Sequence, residues 1–183
     1  MKHIMWGRGV NPMVIPNGIP ARVLHEVDRD RVRAVREAFG GDLMFFKIGR
    51  FDPDKRWNMA VEALAYLKSM GISAKFPLRG GIEPHAGEVL HNARSRGLVV
   101  KDVHAKGDSF EDCLEAIRAV GEADIYNFTF FLPEELIRAL YAAADGVLAN
   151  SGHEPFGLVG LETMAAGGIA YTGATGEDYA LCL

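Results

Sequence analysis

Apolar residues follow two alternating patterns along almost the whole chain. Short apolar runs of strand length predict strands at residues 13–15, 43–48, 74–78, 98–103, 125–132, 146–149 and 168–171. Between them, apolar positions recur every three or four residues, which predicts helices at residues 28–39, 57–70, 84–96, 110–120, 133–144 and 156–166. Such alternation is typical of an α/β fold. It predicts a doubly wound parallel sheet of about six strands with helices on both faces.

Individual residues support or weaken particular elements. Ser109 stands where a helix N-cap is expected, and Pro133 is predicted in the first turn of the helix that follows strand 125–132. Pro77 weakens the strand at 74–78, because proline is normally confined to edge strands. We expect strand 125–132 to pack its aromatic side chains in the core, namely Phe128, Phe130 and Phe131.

Composition and charge narrow the class of protein. A chain of 183 residues is long enough for one domain with a substantial core. Its net charge of −4 argues against a nucleic-acid-binding surface, so we expect no nucleic-acid partner. Cys113 and Cys182 match no metal or redox spacing, and residues 1–9 lack the apolar core of a signal peptide. These features predict a reducing compartment, and therefore the cytoplasm.

The first loop with unusual chemistry is residues 49–57, which follows strand 43–48 directly. Ligands of doubly wound sheets bind outside the carboxyl ends of the strands. Arg50 and Lys55 therefore lie at the ligand edge, where two cations can bind a diphosphate. The alternative is a solvated loop in which Asp52 and Asp54 pair with these cations.

The second such loop, residues 150–157, leads into a predicted helix. Glycine at 157 lets a ligand approach the backbone, and the N–H groups of Gly157 and Leu158 would face an anion at the helix start. Helical geometry would separate Glu154 from Glu162 by roughly 12 Å, more than the roughly 5–9.5 Å of a glycosidase pair. The two carboxylates therefore suit two contacts on an elongated ligand. Glu162 could instead be a surface residue, but its apolar neighbours make an unpaired carboxylate costly.

The remaining motifs are weaker. Residues 172–178 form a glycine-rich loop that resembles the start of a nicotinamide-binding fingerprint but lacks its later part. We expect this loop to join the other two at the same edge of the sheet. His85 and His91 are six residues apart, which is the wrong spacing for one helix face, so we predict no metal site. Neither a Gly-x-Ser-x-Gly turn nor a Walker phosphate loop occurs in the sequence.

Four segments together resemble a known family. They are PNGI at 16–19, IGRFDPDKRW at 48–57, YAAADGVLANS at 141–151 and EPFGLVGLETMAAGG at 154–168. In this order and spacing they resemble the carboxyl-terminal, donor-binding domain of the retaining GT-B glycosyltransferases (glycosyl transferases group 1). That family includes glycogen, sucrose and mannosyl synthases. The glutamate pair followed by MAAGG is the most specific element. The chain departs from the family at Gly168-Ile169, where a proline is usual.

The resemblance implies a role for each matching residue. Arg50 and Lys55 would neutralise the donor diphosphate and stabilise it as the leaving group. Glu154 would contact hydroxyls of the transferred sugar, which makes these three the implied catalytic residues. Glu162 would bind the ribose hydroxyls. The full set of implied donor-binding residues is Gly49, Phe156, Gly157, Leu158 and Glu162.

The implied reaction is retaining transfer of a sugar from a UDP-, GDP- or ADP-linked donor to a hydroxyl acceptor, with no metal or other cofactor. The resemblance covers only the donor-binding domain, so we expect an acceptor-binding domain to act in cis or in trans. We therefore expect residues 1–183 to be a single Rossmann-like half of a GT-B fold, truncated at both ends and inactive alone. Any membrane association would come through the absent half.

Several alternatives remain open. A nucleotide-sugar epimerase or a phosphorylase could share the fold, although no feature marks the pyridoxal-binding lysine that a phosphorylase needs. A non-catalytic nucleotide-sugar-binding module would keep the binding residues without turnover. An oxidoreductase would bind a nicotinamide cofactor in preference to uridine or guanosine diphosphate.

Overall fold

The computed structural model describes Met13, residues 18–153 and residues 157–173. The predicted strand at 13–15 therefore lies outside the described residues, apart from Met13. The described strands are β1 (Leu43–Ile48), β2 (Ala74–Arg79), β3 (Val100–Val103), β4 (Ile125–Phe128), β5 (Gly146–Ala149) and β6 (Ala170–Thr172). The described α-helices are α1 (Arg29–Phe39), α2 (Trp57–Ser69), α3 (His85–Ser95), α4 (Phe110–Val120), α5 (Glu134–Ala143) and α6 (Leu158–Ala165). Short 3-10 helices cover Ala21–Leu24 and Pro53–Lys55.

The six strands form one parallel sheet in the order β3-β4-β2-β1-β5-β6. The chain passes from β1 to β2 on one side, and it later returns to place β5 on the other side of β1. The gap between the carboxyl ends of β1 and β5 is therefore the topological switch point, where such sheets bind ligands. The predicted fold class is confirmed.

Helices cover both faces of the sheet. One core contains residues of α1, α4 and α5, among them Phe39, Ile117 and Leu140, packed on Phe46 of β1. The other core contains α2 and α3 packed on β2, with Trp57 fully buried. Because successive strand residues point to opposite faces, Met44 and Phe46 enter the first core, whereas Phe45 and Lys47 face α2.

Side-chain hydrogen bonds cap two of the helices, and the cap at Ser109 was predicted. The Asp28 carboxylate accepts the backbone N–H of Asp30 at 2.9 Å at the start of α1. The Ser109 hydroxyl accepts the backbone N–H of Asp112 at 3.1 Å at the start of α4. Pro133 is the N-cap of α5, one residue before the first turn in which it was predicted.

Pro77 lies in a central strand, contrary to the expectation that it would weaken β2. It pairs with Tyr126 of β4. On its other side, the registered pairs between β1 and β2 stop at Lys75 and resume at Leu78. Proline donates no N–H, so the sheet tolerates it where one ladder is interrupted while the other ladder and the packed core hold the strand in place.

The prediction for the aromatic residues after Tyr126 was partly wrong. Phe128 is buried and Phe130 packs at the edge of the core, but Phe131 is 87% exposed. Strand β4 ends at Phe128, since the Thr129 hydroxyl already donates to the Val103 carbonyl at 3.0 Å and the chain turns towards Pro133. Phe131 therefore lies beyond the strand, where alternation of residues between the two faces of the sheet no longer determines burial.

None of the helices in residues 18–153 and 157–173 is long and apolar enough to cross a membrane.

Candidate functional site

The loops that follow β1 and β5 meet at the switch point. The backbone N–H of Gly152 donates to the Asp54 carbonyl at 2.7 Å, which joins the two loops directly. Between them lies a cavity of about 80 Å³, hereafter the small cavity. Its polar lining includes Lys47, Lys55 and Ser151, with Gly49 and Gly157 completing the wall. The structure thus brings Lys55 and Gly157, about 100 residues apart in the sequence, to one cavity.

Buried contacts fix the loop that follows β1. The Trp57 indole N–H donates to the Arg50 carbonyl at 2.8 Å. The Phe51 ring packs on Trp57 with centroids 4.7 Å apart, and its backbone N–H donates to the Glu83 carboxylate at 2.9 Å. A Cβ at Gly80 would lie 1.9 Å from the Phe51 ring, so only glycine leaves room for it. The backbone around Arg50 is therefore positioned from the core.

Arg50 and Lys55 line two different cavities that share Ile48 and Gly49. The cavity beside Arg50, hereafter the large cavity, measures about 370 Å³ and also contains Arg79. Its apolar wall consists of Ile48, Phe131, Leu132 and Ile137. The Arg50 side chain is 72% exposed and lies 3.8 Å from Asp52, a distance at which a solvated pair contributes little. Arg50 is therefore accessible to an anion at the boundary of the two cavities.

The start of α6 closes the small cavity on the β5 side. Gly157 is the N-cap residue, with a φ of 74° in the left-handed region that glycine adopts without strain. The first backbone N–H groups of a helix have no acceptor within the helix, so those following Gly157 face outward from its positive end. The Leu158 side chain is 44% exposed. Glu154 and Phe156 lie outside the described residues.

Glu162 lies in the second turn of α6 and is half-buried. Its carboxylate accepts a hydrogen bond from the Tyr141 hydroxyl at 3.1 Å. Burial raises the pKa of the Tyr141 hydroxyl above its usual value, and the charge of Glu162 raises it further. The hydroxyl therefore stays protonated and can donate. The apolar neighbours of Glu162 in the sequence suggest no partner for its carboxylate. In the structure, the Tyr141 hydroxyl is that partner. Of the described residues, those lining the small and large cavities do not include Glu162.

Lys47 is a site residue that sequence reasoning missed. It is 2% exposed, and its ammonium donates to the Leu148 carbonyl at 2.8 Å and to the Asn150 side-chain oxygen at 2.7 Å. The ammonium also lies 5.1 Å from the centroid of the Trp57 ring. Burial lowers the pKa of Lys47, and the positive charge of Lys55 lowers it further, to about 7. The available signal was a lysine that interrupts an apolar strand immediately before a cation-bearing loop.

The glycine-rich segment after β6 reaches the same edge. A Cβ at Gly173 would lie 2.3 Å from the Ser151 carbonyl oxygen, so the two backbones are in close contact. Residues 174–178 of this loop lie outside the described residues. A Cβ at Gly168 would lie 2.1 Å from the Tyr141 carbonyl oxygen, which explains a glycine at this departure from the family pattern.

In the described part of the chain, no three His, Cys, Asp or Glu side chains are grouped to hold a metal ion. His85, considered above as a ligand, lies 2.9 Å from Glu88 on its own helix. The absence of a metal or other cofactor in the reaction stays a prediction.

Cation-bearing loops and a helix start at the switch point of a parallel sheet define a Rossmann-like ligand-binding domain. Solved structures share this fold. The carboxyl-terminal domain of the glycosyl transferase group 1 family protein LpcC from Francisella tularensis matches with a TM-score of 0.60, 18% identity and coverage of 88% of this chain and 73% of that one. Anabaena HepE, solved in complex with UDP and glucose, matches with a TM-score of 0.59 and 18% identity. This match covers 90% of this chain and 39% of HepE. The chain therefore has the fold of a GT-B carboxyl-terminal domain.

The chain belongs to the family Glycosyl transferases group 1, whose model matches residues 28–177. It is 32% identical over 142 residues to a 2-deoxystreptamine glucosyltransferase of Streptomyces kanamyceticus, a match covering 78% of this chain and 30% of that protein. It is 31% identical over 121 residues to a 2-deoxystreptamine N-acetyl-D-glucosaminyltransferase of Streptomyces fradiae, covering 58% and 28%. The matches thus span less than a third of these relatives.

Proposed function

We propose that this chain is the donor-binding domain of a retaining glycosyltransferase. It binds a nucleoside-diphosphate sugar at the carboxyl edge of the sheet, and the sugar passes to a hydroxyl acceptor held by an acceptor domain. One observation carries the proposal: the fold brings Arg50, Lys55 and the start of α6 to adjoining cavities at the switch point. Family membership and the UDP complex of HepE support it.

The charges at this edge suit the chemistry of the transfer. As the bond to the sugar breaks, negative charge grows on the departing diphosphate. Arg50 and Lys55 stabilise that charge, and the backbone at Arg50 is held before the reaction by its hydrogen bond from Trp57. Interactions that strengthen with this charge lower the barrier rather than only tightening donor binding.

The two cavities offer different surroundings to the parts of a nucleotide. We assign the diphosphate to the small cavity and its boundary at Gly49, where the lysines and α6 converge. We assign the nucleobase to the large cavity, whose wall is mainly apolar. The two curated relatives are named for gluco-configured sugars, so we propose a donor sugar of that type.

Calorimetric titration at fixed low salt, with uridine, guanosine and adenosine diphosphates, tests the donor site. Arg50→Ala and Lys55→Ala should each weaken binding of the preferred diphosphate about tenfold or more, because charge-assisted hydrogen bonds contribute roughly 1.5–3 kcal/mol each. Lys68→Ala is a matched control, since Lys68 pairs with Asp124 at the opposite edge. The nucleoside without phosphates should bind both variants and the parent about equally. If both variants bind the diphosphate as tightly as the parent, Arg50 and Lys55 are surface charges that do not contact the donor.

Glu162 is tested by comparing two ligands. Glu162→Gln should weaken binding of the nucleoside diphosphate clearly more than binding of pyrophosphate, because only the former carries a ribose. Equal weakening of both would show that Glu162 supports the fold through Tyr141 and does not contact ribose.

The transfer itself needs donor and acceptor held together, and orientation of this kind contributes roughly 7–11 kcal/mol. The 183-residue chain alone should therefore bind the donor without appreciable transfer of the sugar. Fused to an acceptor domain, or mixed with one, it should transfer the sugar with retention of the anomeric configuration. Product anomeric configuration is read by proton NMR. Rapid transfer by the chain alone would contradict the two-domain proposal. Tight binding without transfer in the combined protein would favour a non-catalytic module.

A further inference from the structure

We propose that Lys47 is a third cationic group of the donor site, and that its side-chain amine takes up a proton from solvent, becoming an ammonium, as the donor diphosphate enters the small cavity. The inference rests on the function proposed above and adds a residue outside the Arg50 and Lys55 pair. It makes donor affinity depend on pH in a defined direction.

The position of Lys47 carries the argument. Its side chain lines the small cavity together with Lys55, Ser151 and Gly157. The residue is buried, and its ammonium lies 5.1 Å from the centroid of the Trp57 ring, so it faces the cavity and not bulk solvent. An ammonium has three N–H donors, and acceptors among the described residues account for two of them, the Leu148 carbonyl and the Asn150 side chain. A ligand oxygen in the cavity is a suitable third acceptor.

Among the described residues, no carboxylate balances the charge of a protonated Lys47. The 3-10 helix before α2 presents Lys55, whose charge acts against that of Lys47. On the same turn, the side chains of Asp54 and Arg56 lie against Gly152. Helix α2 presents the Trp57 ring, and β5 with its following loop presents the neutral oxygens of Leu148 and Asn150. In the described ranges, Lys47 has no carboxylate within ion-pair distance, and this agrees with a pKa lowered to about 7.

An entering diphosphate reverses this imbalance. Its negative charge favours the protonated lysine and offsets the repulsion from Lys55, so the pKa of Lys47 rises on binding. A group whose pKa rises on binding takes up a proton at any pH between the free and bound values, and binding weakens as pH rises through that window. Donor affinity should therefore fall as pH rises above about 7.

A second buried lysine in the neighbouring strand provides a matched control. Lys75 of β2 is 4% exposed, but it lies at the amino end of the sheet, and its ammonium is 3.2 Å from the Glu122 carboxylate. Lys75→Met removes a buried strand lysine in the same way as Lys47→Met. Only the latter changes the charge at the small cavity.

The test is calorimetric titration with UDP-, GDP- or ADP-glucose, using the one that binds the parent most tightly. These diphosphate diesters do not ionise near neutral pH, so a proton taken up on binding is bound by the protein and supplied by the buffer. Titrations in two buffers of different ionisation enthalpy at about pH 8 should give uptake of nearly one proton by the parent and by Lys75→Met, and close to none by Lys47→Met. Parent affinity should fall roughly tenfold or more between about pH 7 and pH 9, while Lys47→Met, weaker throughout, should show a flat profile.

Lys47→Arg separates charge from titration. Arginine stays protonated over this range, so the folded variant should bind donor without proton uptake and with little pH dependence.

Carbon-13 NMR of the lysine Cε atoms checks the titration of Lys47 directly. In the free chain the Lys47 signal should titrate near pH 7, and on addition of donor its titration should move to higher pH. If the parent binds none of the three nucleotide sugars, the proposed function itself fails. If the parent binds but Lys47→Met takes up the same number of protons, only the inference about Lys47 is overturned.

Discussion

The two edges of the sheet each contain a buried lysine, and their surroundings are opposite. At the amino edge, Lys75 lies 3.2 Å from Glu122, and the neighbouring Lys68 lies 2.7 Å from Asp124. At the carboxyl edge, the ammonium of Lys47 is hydrogen-bonded to neutral oxygens, and the charge that acts on it belongs to Lys55. Among the described residues, the buried lysine has a carboxylate partner at the amino edge and has none at the carboxyl edge.

Cavity size alone would favour the amino edge over the edge proposed for donor binding. The amino edge has a cavity of about 450 Å³, larger than the large cavity of about 370 Å³ and the small cavity of about 80 Å³. Its charged lining consists of Lys68, Lys75, Glu122 and Asp124, which pair with one another. Paired charges gain little from an incoming anion. The proposed site therefore rests on sheet topology and on the charges of the described residues, and not on cavity volume.

Under the proposed function, this difference separates contacts that stabilise the fold from a costly group at the binding edge. Asp124 at the amino edge accepts both the Val99 backbone N–H and the Lys68 ammonium, so it ties strand starts to helix α2. Lys47 at the carboxyl edge is a desolvated cation without an ionic partner among the described residues, which is costly in the free protein. Such costs are common at binding sites, where an incoming ligand offsets them.

The largest expected effect concerns the stability of Lys47→Met as a function of pH. The folded chain holds the Lys47 proton less tightly than the unfolded chain, because its pKa is lowered from 10.5 to about 7. The cost is therefore complete below about pH 7 and disappears as pH rises towards 10.5, at roughly 1 kcal/mol per pH unit. In urea unfolding at about pH 6, 7.5 and 9, the parent should gain stability relative to Lys47→Met as pH rises. A constant difference would mean that Lys47 does not titrate in this window.

At the amino edge, Asp124→Ala should lower the free energy of unfolding without affecting the donor site. Removal of a charged acceptor from the Val99 N–H costs about 1–3 kcal/mol, and the Lys68 pair adds little because that lysine is 44% exposed. Diphosphate affinity, measured by calorimetry on the folded fraction, should match that of the parent. Weaker binding in proportion to lost stability would show that the two edges are coupled.

A smaller effect distinguishes two hydrogen bonds made by aromatic side chains. Trp57→Phe removes the donor to the Arg50 carbonyl and should cost about 1 kcal/mol of stability, together with severalfold weaker diphosphate binding. Tyr126→Phe removes the hydroxyl that accepts the Ala123 backbone N–H at 3.0 Å, near the amino edge. It should cost a similar stability and leave binding unchanged. Equal binding by both variants would show that the position of Arg50 does not depend on Trp57.

The smallest effect comes from one substitution made at two glycines. Gly87→Ala in α3 adds a Cβ with nothing within 4 Å, so it should stabilise the chain by roughly 0.5–1 kcal/mol without changing diphosphate binding. Gly80→Ala places its Cβ against the Phe51 ring and should displace the loop carrying Arg50. Thermal unfolding and calorimetry of the pair measure both consequences. Parent-like binding by Gly80→Ala would contradict the tight packing at the carboxyl edge.

Much of the architecture could be predicted from local patterns. Strand β1 and helix α4 have the predicted bounds, and the cap at Ser109 forms as expected. These features depend on periodicity and on hydrogen bonds between residues a few positions apart, which the order of residues determines directly. The parallel, doubly wound arrangement follows from the alternation of strands and helices, and it indicates at which edge the loops after the strands meet.

The sequence by itself thus determined the fold class, the family and the loops that carry the cations. Only the tertiary structure decided how these groups are balanced: that Lys47 points under Trp57 into the small cavity, that Glu162 has Tyr141 as its partner, and that Phe131 leaves the core. Each of these outcomes depends on contacts between residues distant in the chain. The pKa of a lysine or the partner of a carboxylate depends on burial and on nearby charges, and these exist only once the chain has folded.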